Sequence, residues 1–292
     1  MHQFDEKKAY AAQEEIFFDD GREIELLHYV YSRPNLEELR GNPQKVLAAI
    51  DEFGRTKKYL MNVGEDKGKI VTDLIREVKP KVMVSSLLLS VELGGYIGYS
   101  CILFGSAVRE AGGSRYFSLE RNPEFAAVIA SLVDLAGLRD VVQVIVGASD
   151  VSLRRLYKNN ALSKIDLMFL DHYKPAYLPD LKLCEELGLI GEGSVLAADN
   201  VIKPGNPPYL AYVRSSVDEK KKAEDASQNG TGTEGFADRT AKQYEQREGA
   251  EHLDSKVRGV PGLLYESQLN ESFEPTGEPD GIEVTRCVGR QQ

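Results

Sequence analysis

The chain of 292 residues has no tryptophan, only three cysteines and four histidines, and no surplus of basic charge. Cys101, Cys184 and Cys287 are scattered without paired spacing, which excludes a disulfide framework and a zinc knuckle and makes a reducing compartment the default. Lys and Arg total 36 against 46 Asp and Glu, for a net charge of −10. Phosphate binding needs a basic face, so no nucleic-acid partner is expected. The opening segment MHQFDEKKAYAAQEEIFFDD is acidic and lacks the apolar core of a signal peptide or anchor, so the expected location is cytoplasmic, with no membrane partner. Long hydrophobic runs are scarce as well. The stretch from Val82 to Gly105 is apolar, but Glu92, Gly94, Gly95 and Gly98 fall in its middle, and it reads as a buried strand, a glycine turn and a helix start. With 42% hydrophobic and 28% charged residues, what remains is an ordinary globular core of catalytic size.

The order of elements decides the fold class. Residues 1–40 read as a loosely attached arm followed by a short amphipathic helix, in which Ile24, Leu27, Val30 and Tyr31 recur at helical spacing before Pro34. Residues 41–292 read as the main domain. Pro43 fits the first turn of a second helix carrying Val46, Leu47, Ile50 and Phe53. From Gly68 onward helices alternate with strands that are apolar on both faces: VMVSSLLLSVELG, RYFSLE, VVQVIVG, IDLMFLD and GSVLAAD. That alternation specifies an α/β fold with a doubly wound, mostly parallel sheet, whose ligands sit at the carboxyl ends of the strands. After Tyr212 the pattern breaks. Residues 217–238 are charged and nearly empty of large aliphatics, which predicts a disordered insertion, followed by a solvated helix near 239–253. GLLYESQLNESF and GIEVTRCVG return as strands that close the sheet as an antiparallel edge.

Chemistry-bearing residues gather at the strand ends. Glu92 precedes Gly94-Gly95-Tyr96-Ile97-Gly98-Tyr99-Ser100, where glycines allow close backbone approach and the helix start offers free N–H groups. A nicotinamide fingerprint would need glycine where Tyr96 stands, whereas a Glu just before the glycines suits adenosylmethionine; a plain tight turn is the bland alternative. Glu120, ending the next strand, can accept from both ribose hydroxyls or be a solvated acid, and Ser149 by itself is a loop serine. Asp171 after one strand and Asp199-Asn200 after the next form an all-oxygen set that suits magnesium better than zinc. His172 beside them is more plausible as a packing residue than as a ligand. Lys174, three residues past Asp171, is a surface lysine unless a dication lies near; a dication disfavours the ammonium form, as a general base requires. Glu274 has no spacing argument of its own.

The words GNPQKVLAAID, MNVGEDKG, ELGGYIGYS, AGLRD, VGAS, LDHYK, YLPD, ADNVIKPG and YLAYVR together resemble the catechol O-methyltransferase family, from about Gly41 to Arg214 and again around Leu263 to Cys287. The resemblance implies a Rossmann-like class I methyltransferase fold, S-adenosylmethionine and Mg2+ as cofactors, and a small-molecule catechol as substrate, with the chain a monomer. It implies that Met61 and Val63 lie beside the adenosylmethionine, with Glu92, Gly94, Tyr96 and Ser100 around its methionine end. Glu120 would hold the ribose, Ser149 and His172 would flank the adenine, and Asp171 would also border the cofactor. Asp171, Asp199 and Asn200 would bind magnesium, and Lys174 would be the base. Lys174, Asn200 and Glu274 would contact the catechol, between gatekeepers Tyr59, Tyr173 and Pro204. Two tyrosines here replace tryptophans of vertebrate members, which would admit a differently shaped catechol. Magnesium-dependent O-methyltransferases of phenylpropanoid catechols and a catalytically silent adenosylmethionine-binding protein are the alternatives.

Two departures from that family are visible. One is the stretch 217–238, a tolerable surface position. The other is Ser85 to Val91, which separates Val82-Met83-Val84 from Glu92-Leu93-Gly94, where similar proteins run straight through. Either Leu87 to Leu93 replaces the usual strand, or the stretch is a translated intron that disturbs it.

Overall fold

The computed structural model describes residues 3–13, 20–78, 89–226, 236 and 256–291. Helices α1 (Arg22–Tyr31), α2 (Leu36–Leu39), α3 (Pro43–Thr56) and α4 (Gly64–Glu77) lead into the alternating part of the chain. It runs β1 (Leu89–Leu93), α5 (Tyr99–Glu110), β2 (Arg115–Glu120), α6 (Pro123–Leu135), β3 (Val142–Val146), α7 (Ser149–Lys158), β4 (Leu167–Leu170), α8 (Tyr177–Glu186) and β5 (Val195–Ala198). The chain then continues through α9 (Pro207–Arg214) and α10 (Val217–Ala226), and ends on β6 (Leu263–Phe273) and β7 (Pro279–Arg290).

Two helix starts are capped alike, one of them at the expected Pro43. Asn42 and Asn122 accept from backbone N–H groups two or three residues on, and Pro43 and Pro123 follow at the first helical position. The strands assemble in the order β3-β2-β1-β4-β5-β7-β6, parallel from β3 to β5, with β7 antiparallel to both β5 and β6. This is the expected mostly parallel α/β sheet with an antiparallel edge. Alternation sorts each strand into two cores. Phe169 joins Leu26, Ile50, Ile75 and Phe104 on the face covered by α1 and α3–α6, while Met168 and Leu170 join Leu153, Leu181 and Tyr209 under α7–α9. Among the described residues no helix is long and apolar enough to cross a membrane.

Three expectations meet the structure differently. The strand at the family's departure point is Leu89–Leu93, paired Val91 to Phe117 and to Met168, so for its described part the later residues supply the strand. Val82-Met83-Val84 and residues 85–88 lie outside the described residues. The disordered insertion expected from 217 begins instead as helix α10, because Val217 and Lys220 are buried at i, i+3 spacing despite the charged run around them. Residues 227–238, apart from Phe236, and the helix near 239–253 lie outside the described residues. The N-terminal arm is not loose where it is described, since Tyr10 is only 8% exposed in the core.

Candidate active site

β1 delivers Glu92 to the sheet interior, fully buried, where its Oε2 accepts from the Cys101 thiol at 2.9 Å. Burial pushes its carboxyl up to about 7, and among the described residues nothing hydrogen-bonds to its buried Oε1. Just beyond, the backbone at Gly94 has φ +89° and passes so close to β4's end that a Cβ would lie 2.4 Å from the Asp171 carbonyl oxygen. The glycine loop and the Asp171-His172 corner are therefore in contact. Glu120 secures the same loop: its Oε2 accepts from the N–H groups of Gly95 at 3.1 Å and Tyr96 at 3.0 Å, and its Oε1 from Asn122 at 2.8 Å. Tyr96 holds φ +46°, a costly conformation for a bulky residue, and its hydroxyl donates to buried Glu23 at 2.8 Å. Ser100 is buried in the first turn of α5.

Ser149 and His172 come together through Asp180, a residue the sequence reading did not single out. The Ser149 hydroxyl donates to Asp180 Oδ2 at 2.5 Å, and His172 Nε2 lies 2.9 Å from the same oxygen. The His172 ring stacks on Tyr177 at 4.9 Å, and its buried Nδ1 has no hydrogen-bond partner among the described residues. The imidazole is thus tied into α8.

An acidic cluster occupies the rim of β4, β5 and β7. Lys174 Nζ donates to Asp171 Oδ1 at 3.1 Å and to the Tyr177 hydroxyl at 2.8 Å. On the other side stands Lys67 of α4, fully buried, whose ammonium donates to Asp199 Oδ1 and Glu274 Oε1, both at 2.6 Å, and to Asp280 Oδ2 at 3.1 Å. Burial alone would lower its hold on the proton, but the charges of Asp199, Glu274 and Asp280 prevail and keep the ammonium well above its usual range. Asn200, at φ +56°, donates its Nδ2 to Glu274 at 2.6 Å and to Asp280 at 3.1 Å. Burial pushes Glu274 up to about 8, partly countered by Lys67, and pushes Asp171 up to about 6.

The carboxylate oxygens of Asp199, Glu274 and Asp280 lie within 4.8 Å of one another, a spacing that could hold a metal, but the Lys67 ammonium already bonds to all three. The other acceptors are different. Among the described residues no donor reaches Asp171 Oδ2, Asp199 Oδ2 or Asn200 Oδ1. These three oxygens are a hard donor set of the kind that magnesium takes. Four carboxyls, of Asp171, Asp199, Glu274 and Asp280, face two ammoniums, of Lys67 and Lys174, so a dication would relieve the excess negative charge. The residues fit the ion that the resemblance implies.

Around this cluster Tyr59 is buried, within the electrostatic reach of Glu274, and Val63 is buried at the start of α4. Tyr173 is half-buried, Met61 is 44% exposed and Pro204 is exposed. Lys67, Asp280, Asp180 and Glu23 are site residues that sequence reasoning missed. A signal existed for Lys67, which stands inside the quoted word MNVGEDKG.

A methyltransferase domain family matches residues 91–201. The catechol O-methyltransferase of Sus scrofa is 43% identical over 158 residues, 54% of this chain and 80% of that protein. The chain belongs to the catechol O-methyltransferase family. The Bos taurus member is 44% identical over 176 residues, covering 60% of this chain and 61% of that protein, so the chain spans about three fifths of the length of that relative. Among solved structures, the O-methyltransferase TomG of Streptomyces achromogenes, determined in complex with SAM, has a TM-score of 0.52 at 19% identity, covering 94% of this chain and 100% of that one. That likeness is one of fold.

Proposed function

We propose that the chain transfers a methyl group from S-adenosylmethionine to one hydroxyl of a small-molecule catechol, with magnesium bound by Asp171, Asp199 and Asn200. The observation that carries this reading is the set of three oxygens, without a donor among the described residues, beside Lys174 on one side and the Lys67-held Glu274 on the other. Magnesium bound there would supply Lewis acidity, lowering the pKa of a chelated hydroxyl. Lys174, once its own ammonium proton has been released to solvent, takes the proton of the reacting hydroxyl at Nζ, from a position fixed by Asp171 and Tyr177. Glu274 accepts a hydrogen bond from the other hydroxyl and so orients the ring. Tyr59, Tyr173 and Pro204 flank it and restrict its plane.

On the cofactor side, Met61, Val63, Glu92, Gly94, Tyr96 and Ser100 surround the methionine end. Glu120 exchanges part of its hold on the loop N–H groups for the ribose hydroxyls, and Ser149 and His172, fixed by Asp180, border the adenine. Attack of an oxyanion on a sulfonium removes opposite charges, so the buried, preorganised surroundings favour the transition state over water. The protein acts as a cytoplasmic monomer in this reading. The test is incubation with labelled adenosylmethionine, magnesium and a panel of catechol, a catecholamine, caffeate and a monophenol. Label is expected on the ortho-diphenols and absent from the monophenol; equal labelling of the monophenol, or none of any, would refute the reading. Preference for caffeate over the catecholamine would move the substrate to the phenylpropanoid class.

A further inference from the structure

The segment ahead of α1 is fastened to the turn that carries Glu274. The Tyr10 N–H donates to the Pro275 carbonyl at 2.9 Å, and the Phe4 ring lies 5.6 Å from that of Phe273. Gly277 is shaped to this contact, since a Cβ there would lie 2.8 Å from Phe4 Cε1. Behind the turn, the Tyr10 hydroxyl donates to Asp51 Oδ1 at 2.5 Å and accepts from Asn62 Nδ2 at 3.3 Å. Its ring covers Gly54, where a Cβ would lie 2.5 Å from the ring. The Ala11 N–H donates to the Gly54 carbonyl at 2.9 Å, and Lys8 pairs with Glu65 at 2.8 Å. One short segment thus joins α3, α4 and the tip of the β6–β7 hairpin.

Without it the tip keeps its turn bonds, from the Glu274 N–H to the Glu278 carbonyl and from the Gly277 N–H to the Glu274 carbonyl, both 2.8 Å, and the bonds of the Glu274 carboxylate to Lys67 and Asn200. Turn bonds at a hairpin end open locally at lower cost than bonds inside the sheet, and the arm is what fastens the backbone of this turn to α3 and α4. We propose that residues 3–13 are a strap that fixes Glu274 for substrate binding, with Phe4 and Tyr10 as its positioning residues; this rests on the role given to Glu274 above. A displaced Glu274 loses its alignment with the catechol hydroxyl, so substrate affinity falls while the cofactor side is spared. Tyr10 also touches Asn62, between Met61 and Val63, whereas the Phe4 contacts above are with the hairpin alone.

Two variants separate these effects: Phe4→Ala, and a chain lacking residues 1–13. Hydrogen exchange of the Glu274 and Gly277 amides, measured without any ligand, is expected to rise at least tenfold in the truncated chain. The catechol KM is expected to rise at least fivefold in both variants, with kcat within threefold and the adenosylmethionine dissociation constant of Phe4→Ala within twofold. Unchanged exchange at Glu274 and Gly277 would overturn the strap, as would faster exchange with an unchanged catechol KM. Failure of every form to methylate any catechol would remove the proposed function instead, and exchange would still decide whether the arm holds the turn.

Discussion

The parallel half of the sheet and its antiparallel hairpin reach the acidic cluster by different routes. In β4 and β5, paired Leu170 to Ala198, the next residues are Asp171 and Asp199, so two carboxylates stand side by side because two parallel strands end together. In the hairpin direction is reversed. Ala198 pairs with Glu283, and β7 runs antiparallel, so residues before Glu283 extend past the end of β5 and bring Asp280 to the same rim. Lys67 then ties the halves, bonding Asp199 from one and Glu274 and Asp280 from the other. The parallel half supplies the free donor oxygens, and the hairpin supplies the groups that hold them.

Breaking that tie should have the largest effect. Lys67→Met leaves three carboxylates buried without their cation and is expected to cost about 3–5 kcal/mol in urea unfolding. The double variant Lys67→Met with Asp280→Asn should recover part of the loss. If Lys67→Met unfolds like the wild type, the halves are not joined through this ammonium.

Within the parallel half alone, Glu92 gives a pH signature. Its folded pKa of about 7 lies above the unfolded value of about 4.3, so the native state binds the extra proton between them. The contribution is therefore fully present below the unfolded value and is lost as pH rises through about 7. Glu92→Gln should flatten that fall, by up to about 3 kcal/mol, in unfolding measured at pH 5 and pH 8. A parallel decline in both proteins would assign the pH dependence elsewhere.

A smaller effect is expected at the outer edge of the hairpin. The Lys220 ammonium lies 4.6 Å from the Tyr265 ring centroid and 5.2 Å from that of Tyr212, and donates to the Leu263 carbonyl at 2.5 Å. Lys220→Met should cost about 1–2 kcal/mol. Proteolysis after residue 226 should become faster in the same variant; identical digestion would mean that α10 is held by Val217 alone.

These differences explain how much could be read beforehand. Strands such as LMFL declare themselves by apolar residues on both faces, and parallel strands carry their functional residues immediately after them, so Asp171, Asp199 and Asn200 were legible as one set. Glu274 was legible only through resemblance, and Asp280 not at all, because Pro-Asp-Gly reads as a turn until the antiparallel register is known. Lys67 sits on an amphipathic helix among charged neighbours, and only tertiary packing shows that it faces inward. The arm and α10 are hidden from a sequence reading for a related reason. Each is held by a few scattered anchors, Phe4 and Tyr10 in one and Val217 and Lys220 in the other, too sparse to raise the local apolar content.

The central claim, methyl transfer that depends on magnesium at the rim of β4 and β5, is tested most directly by the initial rate of label transfer from adenosylmethionine to a simple catechol as magnesium is titrated. The wild type should show saturable activation that a strong chelator abolishes. Asp171→Ala should lose about 10²–10³-fold in rate at saturating adenosylmethionine, since a fixed charge is removed from the reacting centre. Full activity in the presence of the chelator, or an Asp171→Ala variant with the wild-type magnesium response, would contradict the account.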